Sequence, residues 1–296
     1  MKIRGGINKR KISKYCKWLD VSTEAFYKHI NRKEKVDKYI ELKNMILHIL
    51  KLSEFNDKYG KVRMTAALKL EFPDYKFPSI STIYRVMKEM KIQHRPKKGP
   101  KGCTIADKKA TKADDLLQRD FYADKPYIKL ITDITEINYF GQKIYTAVIF
   151  DCYSLKALGI ANGRTMDVQL VIKTLENAYK QYPQIKGAIL HSDRGTQYTS
   201  EEYKAKLKEY GIIQSMNSEA GRCHDNARCE AMWARFKEEF LYDRYDKIKM
   251  AYDKMIQKIW RYFIGYWNNH RVCSAIGGIT PAMKEQEYLR NLGMVA

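Results

Sequence analysis

From about residue 125 onward, short apolar runs alternate with longer segments of helical spacing. Ile128 to Ile137 reads as a strand, Tyr139-Phe140-Gly141-Gln142 as a turn, and Lys143 to Phe150 as a second strand. Leu155 to Ala161 is a third. Asp167 to Tyr182 puts Leu170, Val171, Leu175 and Ala178 on one stripe and reads as a helix. Gly187 to His191 is a fourth strand, Ser200 to Tyr210 a helix, and Ile212 to Met216 a fifth strand. A hairpin followed by strand–helix alternation predicts an α/β mixed sheet with helices on its faces.

Ahead of that region the spacing is helical. Ile12 to Ile30 reads as two short helices around Leu19-Asp20-Val21-Ser22, with Ser22 or Thr23 as the second N-cap. Val36 to Leu52 is a further amphipathic helix. Val62 to Leu70 and Ile80 to Met90, separated by Phe72-Pro73-Asp74 and Phe77-Pro78-Ser79, form a second helix–turn–helix candidate, capped by Ser79 or Ser81. Three-helix units also pack for structural reasons alone. The stretch Gln93 to Gly102, with two prolines and two glycines among lysines, cannot bury a core and is expected to be extended. At the other end, Ile248 to Trp267 reads as one long aromatic helix. Its stripe of Met255, Ile259, Tyr262, Phe263 and Tyr266 suits a core or an interface between protomers better than base stacking. The expected division is a helical DNA-binding region at 1–92, a basic linker at 93–124, a core at 125–243 and a helical extension at 244–296.

Charge gives the amino-terminal helices a meaning. Residues 1–112 hold 29 Lys and Arg against 11 Asp and Glu, a net +18, whereas residues 113–296 carry only +3. A lysine-rich surface of no special purpose would load both halves alike. The asymmetry points to a polyanion, most simply nucleic acid. Arg85 and Lys88 could face a groove, and Lys97, Lys98 and Lys101 could track a phosphate backbone. The six scattered cysteines suit reduced thiols in cytoplasm. No apolar run approaches a membrane span, and the start does not read as a secretory signal.

Three carboxylates stand out. Asp133 lies in the strand-like Leu130-Ile131-Thr132-Asp133-Ile134-Thr135, Asp193 in His191-Ser192-Asp193-Arg194-Gly195 and Glu230 in Asp225-Asn226-Ala227-Arg228-Cys229-Glu230, with 59 and 36 residues between them. Carboxylates from two strand ends and a helix can hold two Mg²⁺ ions for in-line attack on a phosphodiester. Each also has a plainer reading. Asp133, in an apolar strand, needs a cation, a metal or a proton, and a core Arg or Lys would serve. Asp193 could simply form a turn, and Glu230 could be solvated. Asp151, after Val148-Ile149-Phe150, reads as structural. Cys223-His224 with Cys229 lacks the spacing and the fourth ligand of a zinc site. There is no Walker A sequence, so ATP is not expected.

The block from His191 to Ser200, Asp225-Asn226-Ala227-x-x-Glu230 with Lys237 and Glu239 downstream, Thr132-Asp133-Ile134-Thr135, and Tyr266-Trp267-Asn268-Asn269-His270-Arg271 before Thr280-Pro281 resemble one family. It is the insertion-sequence transposases of the IS-three type, whose catalytic subunit has a retroviral-integrase-like core. The resemblance spans roughly residues 55–290. It implies a ribonuclease-H-like core, Asp133, Asp193 and Glu230 as the catalytic DDE triad, and Mg²⁺, with Mn²⁺ able to substitute. Spacing after Asp-Asn-Ala selects Glu230 over Asp225, Glu238 and Glu239. Asp225 reads as an N-cap and Asn226 as a supporting residue. Lys237, seven residues beyond Glu230, falls on the same helix face and could hold a phosphate or be a plain surface lysine. His191 is expected to support the Asp193 turn.

Three features depart from the family pattern. Leu130 stands where the family usually has tryptophan. The second interval is one residue longer than usual, an addition placed near residues 217–222. The upstream leucine-zipper segment is not seen, so the chain reads as either the downstream reading frame alone or a variant with its own helix–turn–helix. The expected activity is nicking of transposon ends followed by strand transfer. Expected partners are double-stranded DNA (terminal inverted repeats and target), further copies of the chain, and an upstream-frame protein, in a bacterial cytoplasm. The alternatives are a DNA-binding regulator with an inactive inherited core, and a hydrolase of RNA–DNA hybrids.

Overall fold

The structure is a computed structural model that describes residues 9–31, 37–92, 113–217 and 227–293. Two compact units divide the chain, Met1–Glu41 and Leu42–Ala296. In the first, α1 (Lys9–Trp18) and α2 (Thr23–Ile30) are joined by a turn in which Asp20 adopts φ 51°. Ser22 caps α2, its hydroxyl accepting the Ala25 N–H at 3.0 Å. Such short helices bury little, and Tyr15, Trp18 and Leu19 remain exposed.

The second unit opens with most of α3 (Ile40–Leu52), which begins later than the pattern predicts. It continues through α4 (Lys61–Glu71) and α5 (Ile80–Glu89), the latter capped by Ser79. Ile83, Val86 and Met87 form the buried face of α5. Residues 42–92, grouped by sequence with the amino-terminal arm, pack in the same compact unit as the sheet. The physical reason is an aromatic seam: the Phe55 ring meets Tyr262 at 5.1 Å and Tyr266 at 4.8 Å.

The sheet holds β1 (Lys129–Tyr139), β2 (Gln142–Asp151), β3 (Ala157–Gly163), β4 (Ile189–Ser192) and β5 (Ile213–Met216) in the order β3-β2-β1-β4-β5. The first three strands are antiparallel, while β4 and β5 run parallel to β1. This is the ribonuclease-H-like arrangement that the resemblance implies. Phe140 and Gly141 both take positive φ, which matches the tight hairpin between β1 and β2.

Alternation along the strands gives the sheet two apolar faces. Leu130, Ile149 and Leu158 meet α6 (Val168–Gln181) and α8 (Glu201–Glu209). Helix α6 approaches β3 so closely that a Cβ at Gly159 would lie 2.5 Å from the Thr174 carbonyl oxygen. Ile131, Val148 and Phe150 face the opposite layer: α9 (Ala227–Phe236), α10 (Tyr252–Trp260) and two π-helical continuations, Lys237–Leu241 and Arg261–Trp267. The long tail helix expected from Ile248 therefore starts later. Tyr139 holds the preceding residues, its hydroxyl donating to the Ile248 carbonyl and accepting the Met250 N–H at 2.6 Å. Its aromatic stripe is core, with Met255, Ile259, Tyr262 and Phe263 fully enclosed. Helix α11 (Pro281–Asn291) is pinned by Glu285, which accepts from Tyr127 and Lys156. Among the described residues no helix is long and apolar enough to cross a membrane.

Candidate active site

Parallel pairing sets the two aspartates side by side. Ile131 of β1 is paired with His191 of β4. Asp133 lies two residues further along β1, on the same sheet face as Ile131, and Asp193 lies two residues beyond His191, just past the end of β4, close enough for its charge to act on Asp133. That face is the one covered by α9. Oδ1 of Asp133 accepts the Ile134 N–H at 2.9 Å, and Oδ2 accepts the Trp233 indole N–H at 3.2 Å. Asp193, just past the end of β4, folds into a local turn in which Oδ1 accepts the Gly195 N–H at 3.0 Å. A Cβ on Gly195 would come within 3.1 Å of that oxygen, a close approach that glycine avoids. The short α7 (Thr196–Thr199) follows.

Burial pushes the Asp133 carboxyl up to about 8, and the negative charges of Asp193 and, less strongly, Glu230 push the same way. Glu230 itself is exposed, in the first turn of α9. All three predicted carboxylates therefore share one electrostatic neighbourhood. Among the described residues, however, no three His, Cys, Asp or Glu side chains close into a ready cation cage. The donor chemistry still suits a hard divalent cation. Two carboxylates from neighbouring strands crowd their negative charge into a partly buried space, and a divalent ion would relieve it.

His191 is buried and braces the strand ends rather than touching either carboxylate through a described bond. Its Nδ1 pairs with Ser215 Oγ at 2.8 Å and its Nε2 with Asn217 Oδ1 at 3.0 Å, both on or just beyond β5. Arg194 adds a bond from Nε to the Asn217 carbonyl at 2.5 Å. Lys237 opens the π-helical segment and is half-buried. Arg85 and Lys88 lie on the exposed side of α5, with the Lys88 ammonium 4.6 Å from the Tyr84 ring centroid. Lys97, Lys98, Lys101 and Asn226 lie outside the described residues, as do Cys223, His224 and Asp225. Cys229 is fully buried in the apolar layer against the sheet. Asp151, read as structural, accepts from Tyr127 N at 2.9 Å, Ser154 N at 2.8 Å and Ser154 Oγ at 2.6 Å.

Sequence reasoning missed Trp233, whose only visible signal was its place three residues after Glu230. It also gave no role to Glu239 and Arg271. Arg271 donates to Glu239 from Nε at 2.7 Å and from Nη2 at 2.9 Å, while Arg63 and Tyr262 donate to the same carboxylate at 2.5 and 2.8 Å.

The integrase core domain model matches residues 123–223. The InsK protein of insertion sequence element IS150 from Escherichia coli K12 is 29% identical over 276 residues, covering 91% of this chain and 92% of that protein. The transposase InsF of insertion sequence IS3A, also from Escherichia coli K12, is 25% identical over 281 residues, covering 94% and 95%. The HTLV-2 integrase catalytic core domain, solved in complex with magnesium, is 17% identical with a TM-score of 0.41, covering 55% of this chain and 99% of that one. The matched core and the full-length relatives together make the chain similar to the insertion-sequence transposases of the IS-three type, with an integrase core over residues 123–223.

Proposed function

We propose that the chain is a DDE transposase that nicks transposon ends and joins the freed 3′ ends to target DNA. The observation that carries this reading is the closeness of Asp133, on β1, to Asp193, just past the neighbouring parallel strand β4, with Glu230 of α9 also acting on the Asp133 carboxyl. Asp133, Asp193 and Glu230 would hold two Mg²⁺ ions, for which Mn²⁺ could substitute. When bound, such ions supply Lewis acidity and neutralise charge at the phosphorus.

The residues of the chain do the rest. Asp133, within β1, and Asp193, just past β4, are held by N–H donors, so their direction is set before DNA arrives. Glu230, exposed on α9, stands on the open side. His191, tied to Ser215 and Asn217, keeps the ends of β4 and β5 together beneath Asp193. In the first reaction a water oxygen attacks the scissile phosphorus, a P–O bond breaks, and a 3′-hydroxyl leaves. In the second, that hydroxyl attacks a phosphodiester of the target and displaces another 3′-oxygen. Residues 1–92 and the basic linker at 93–124 would grip the terminal inverted repeats, with Arg85, Lys88, Lys97, Lys98 and Lys101 on phosphates and Lys237 beside the core. Further copies of the chain, and an upstream-frame protein, would complete the assembly on two DNA ends, in a bacterial cytoplasm. The core would span 125–243 and the helical extension 244–296.

The test is Asp193→Asn with labelled end DNA and Mg²⁺. Cleavage is expected to vanish while the gel shift of end DNA persists. Cleavage retained by the variant overturns the assignment. Wild-type protein that binds ends without nicking them in any divalent cation would favour the regulator instead.

A further inference from the structure

The indole of Trp233 links the strand that carries Asp133 to the helix that carries Glu230. Its N–H donates to Asp133 Oδ2 at 3.2 Å. Trp233 stands one helical turn after Glu230, so it shares that residue's side of α9. Three rings of the core hold it: Phe150 at 6.2 Å, Phe236 at 5.9 Å and Phe263 at 5.8 Å between centroids. The side chain is only 6% exposed. A ring so confined has its N–H direction fixed by packing, and an indole can donate but never accept.

The chemistry of that donor matters as much as its position. A lysine or arginine at the same place would neutralise Asp133 and compete with a divalent ion for its oxygens. A neutral N–H orients the carboxylate and leaves the negative charge available. With Ile134 N–H on the other oxygen, the Asp133 carboxylate is held from both sides.

We propose that Trp233 is a positioning residue for the catalytic centre: its indole N–H sets the Asp133 carboxylate for divalent-cation binding and clasps the Glu230 helix to β1. The inference rests on the catalytic reading above. Loss of a donor that orients a ligand weakens metal affinity by about 10-fold or more.

The experiment is a Mn²⁺ titration of the full chain, read by the rise in melting temperature. Two replacements are compared with wild type: Trp233→Phe, and 3-benzothienylalanine introduced at position 233, which keeps the bicyclic shape and lacks the N–H. Phe263→Leu disturbs the same ring cluster without touching the bond. Both position-233 replacements are expected to need about 10-fold more Mn²⁺, with Phe263→Leu keeping the wild-type midpoint. Should Trp233→Phe not fold, the benzothienyl protein decides alone. A wild-type Mn²⁺ midpoint in that protein, or an equal shift in Phe263→Leu, overturns the inference. Asp133→Asn separates the two levels of reading. If it responds to Mn²⁺ as wild type does, the catalytic assignment fails, whereas failure of the Trp233 inference alone leaves that response abolished.

Discussion

Arg271 holds Glu239 in a two-pronged grip inside the protein, Nε to Oε2 at 2.7 Å and Nη2 to Oε1 at 2.9 Å, with both side chains at most 3% exposed. Arg63 reaches the same carboxylate from α4, so one buried acid ties together three distant parts of the second unit. Planar guanidinium and carboxylate groups match each other in this geometry. Replacing one partner leaves charge buried without compensation, which costs about 3–5 kcal/mol. Arg271→Met is therefore expected to lower unfolding stability in urea by that amount. Adding Glu239→Leu to it should recover part of the loss, and a fully additive double variant would contradict the coupling.

The same acid makes stability depend on pH. Burial alone would raise the Glu239 carboxyl, but the charges of Arg271 and Arg63, with their hydrogen bonds and that of Tyr262, bring it down to about 2. A carboxyl lowered on folding contributes stability that is present above its ordinary value of 4.5 and is lost as pH falls toward 2. The stability gap between wild type and Glu239→Gln should shrink between those limits. A gap constant from pH 5 to pH 2.5 argues against this account.

Asp133 has the opposite sign. Its carboxyl is raised from 3.8 to about 8 by burial, then by Asp193 and Glu230, so the folded protein keeps a proton that the unfolded chain has lost. Its contribution falls as pH rises from about 4 to about 8. Melting curves in EDTA across this range should show that decline in wild type and lose it in Asp133→Asn. Mn²⁺ should flatten the wild-type slope, because a bound cation favours the ionised form.

Gly159→Ala tests the contact of α6 with β3. The new methyl carbon would meet Thr174 O at 2.5 Å and Ala178 Cβ at 2.7 Å, neither of which can move without shifting the helix. Overpacking of this kind costs about 1–3 kcal/mol. Thermal denaturation of the variant gives the value, and an unchanged midpoint would show that α6 yields freely.

The sheet was legible because its strands are short apolar, β-branched runs bounded by turn residues, buried almost without a break in β2 and β3. Asp133 and Asp193 stand out from the blocks around them, and the register of β1 with β4 brings those blocks side by side. The tail was read less well. Residues 248–251 have helix-compatible composition, yet the Tyr139 hydroxyl, more than a hundred residues earlier, holds them out of the helix. Periodicity cannot see such a partner. Glu239 and Arg271 stand in blocks that carry the resemblance, but the sequence does not show that they pair, since 31 residues separate them and charged side chains seldom go inside. Their burial depends on the π-helical turn over Lys237–Leu241, in which Glu238 to Leu241 are all enclosed. No 3.6-residue pattern predicts four successive buried positions.

The outer strand of the sheet carries a last consequence. Asn268 uses its side-chain amide as a substitute peptide, accepting the Ala157 N–H at 2.8 Å and donating to the Ala157 carbonyl at 2.9 Å. Asn177 donates to the carbonyl of Ile160 further along the same strand. An incoming strand would find those positions on β3 already taken, and edge-to-edge growth of the sheet is blocked there. Two sheets therefore cannot join through these positions, and the edge is guarded against aggregation there.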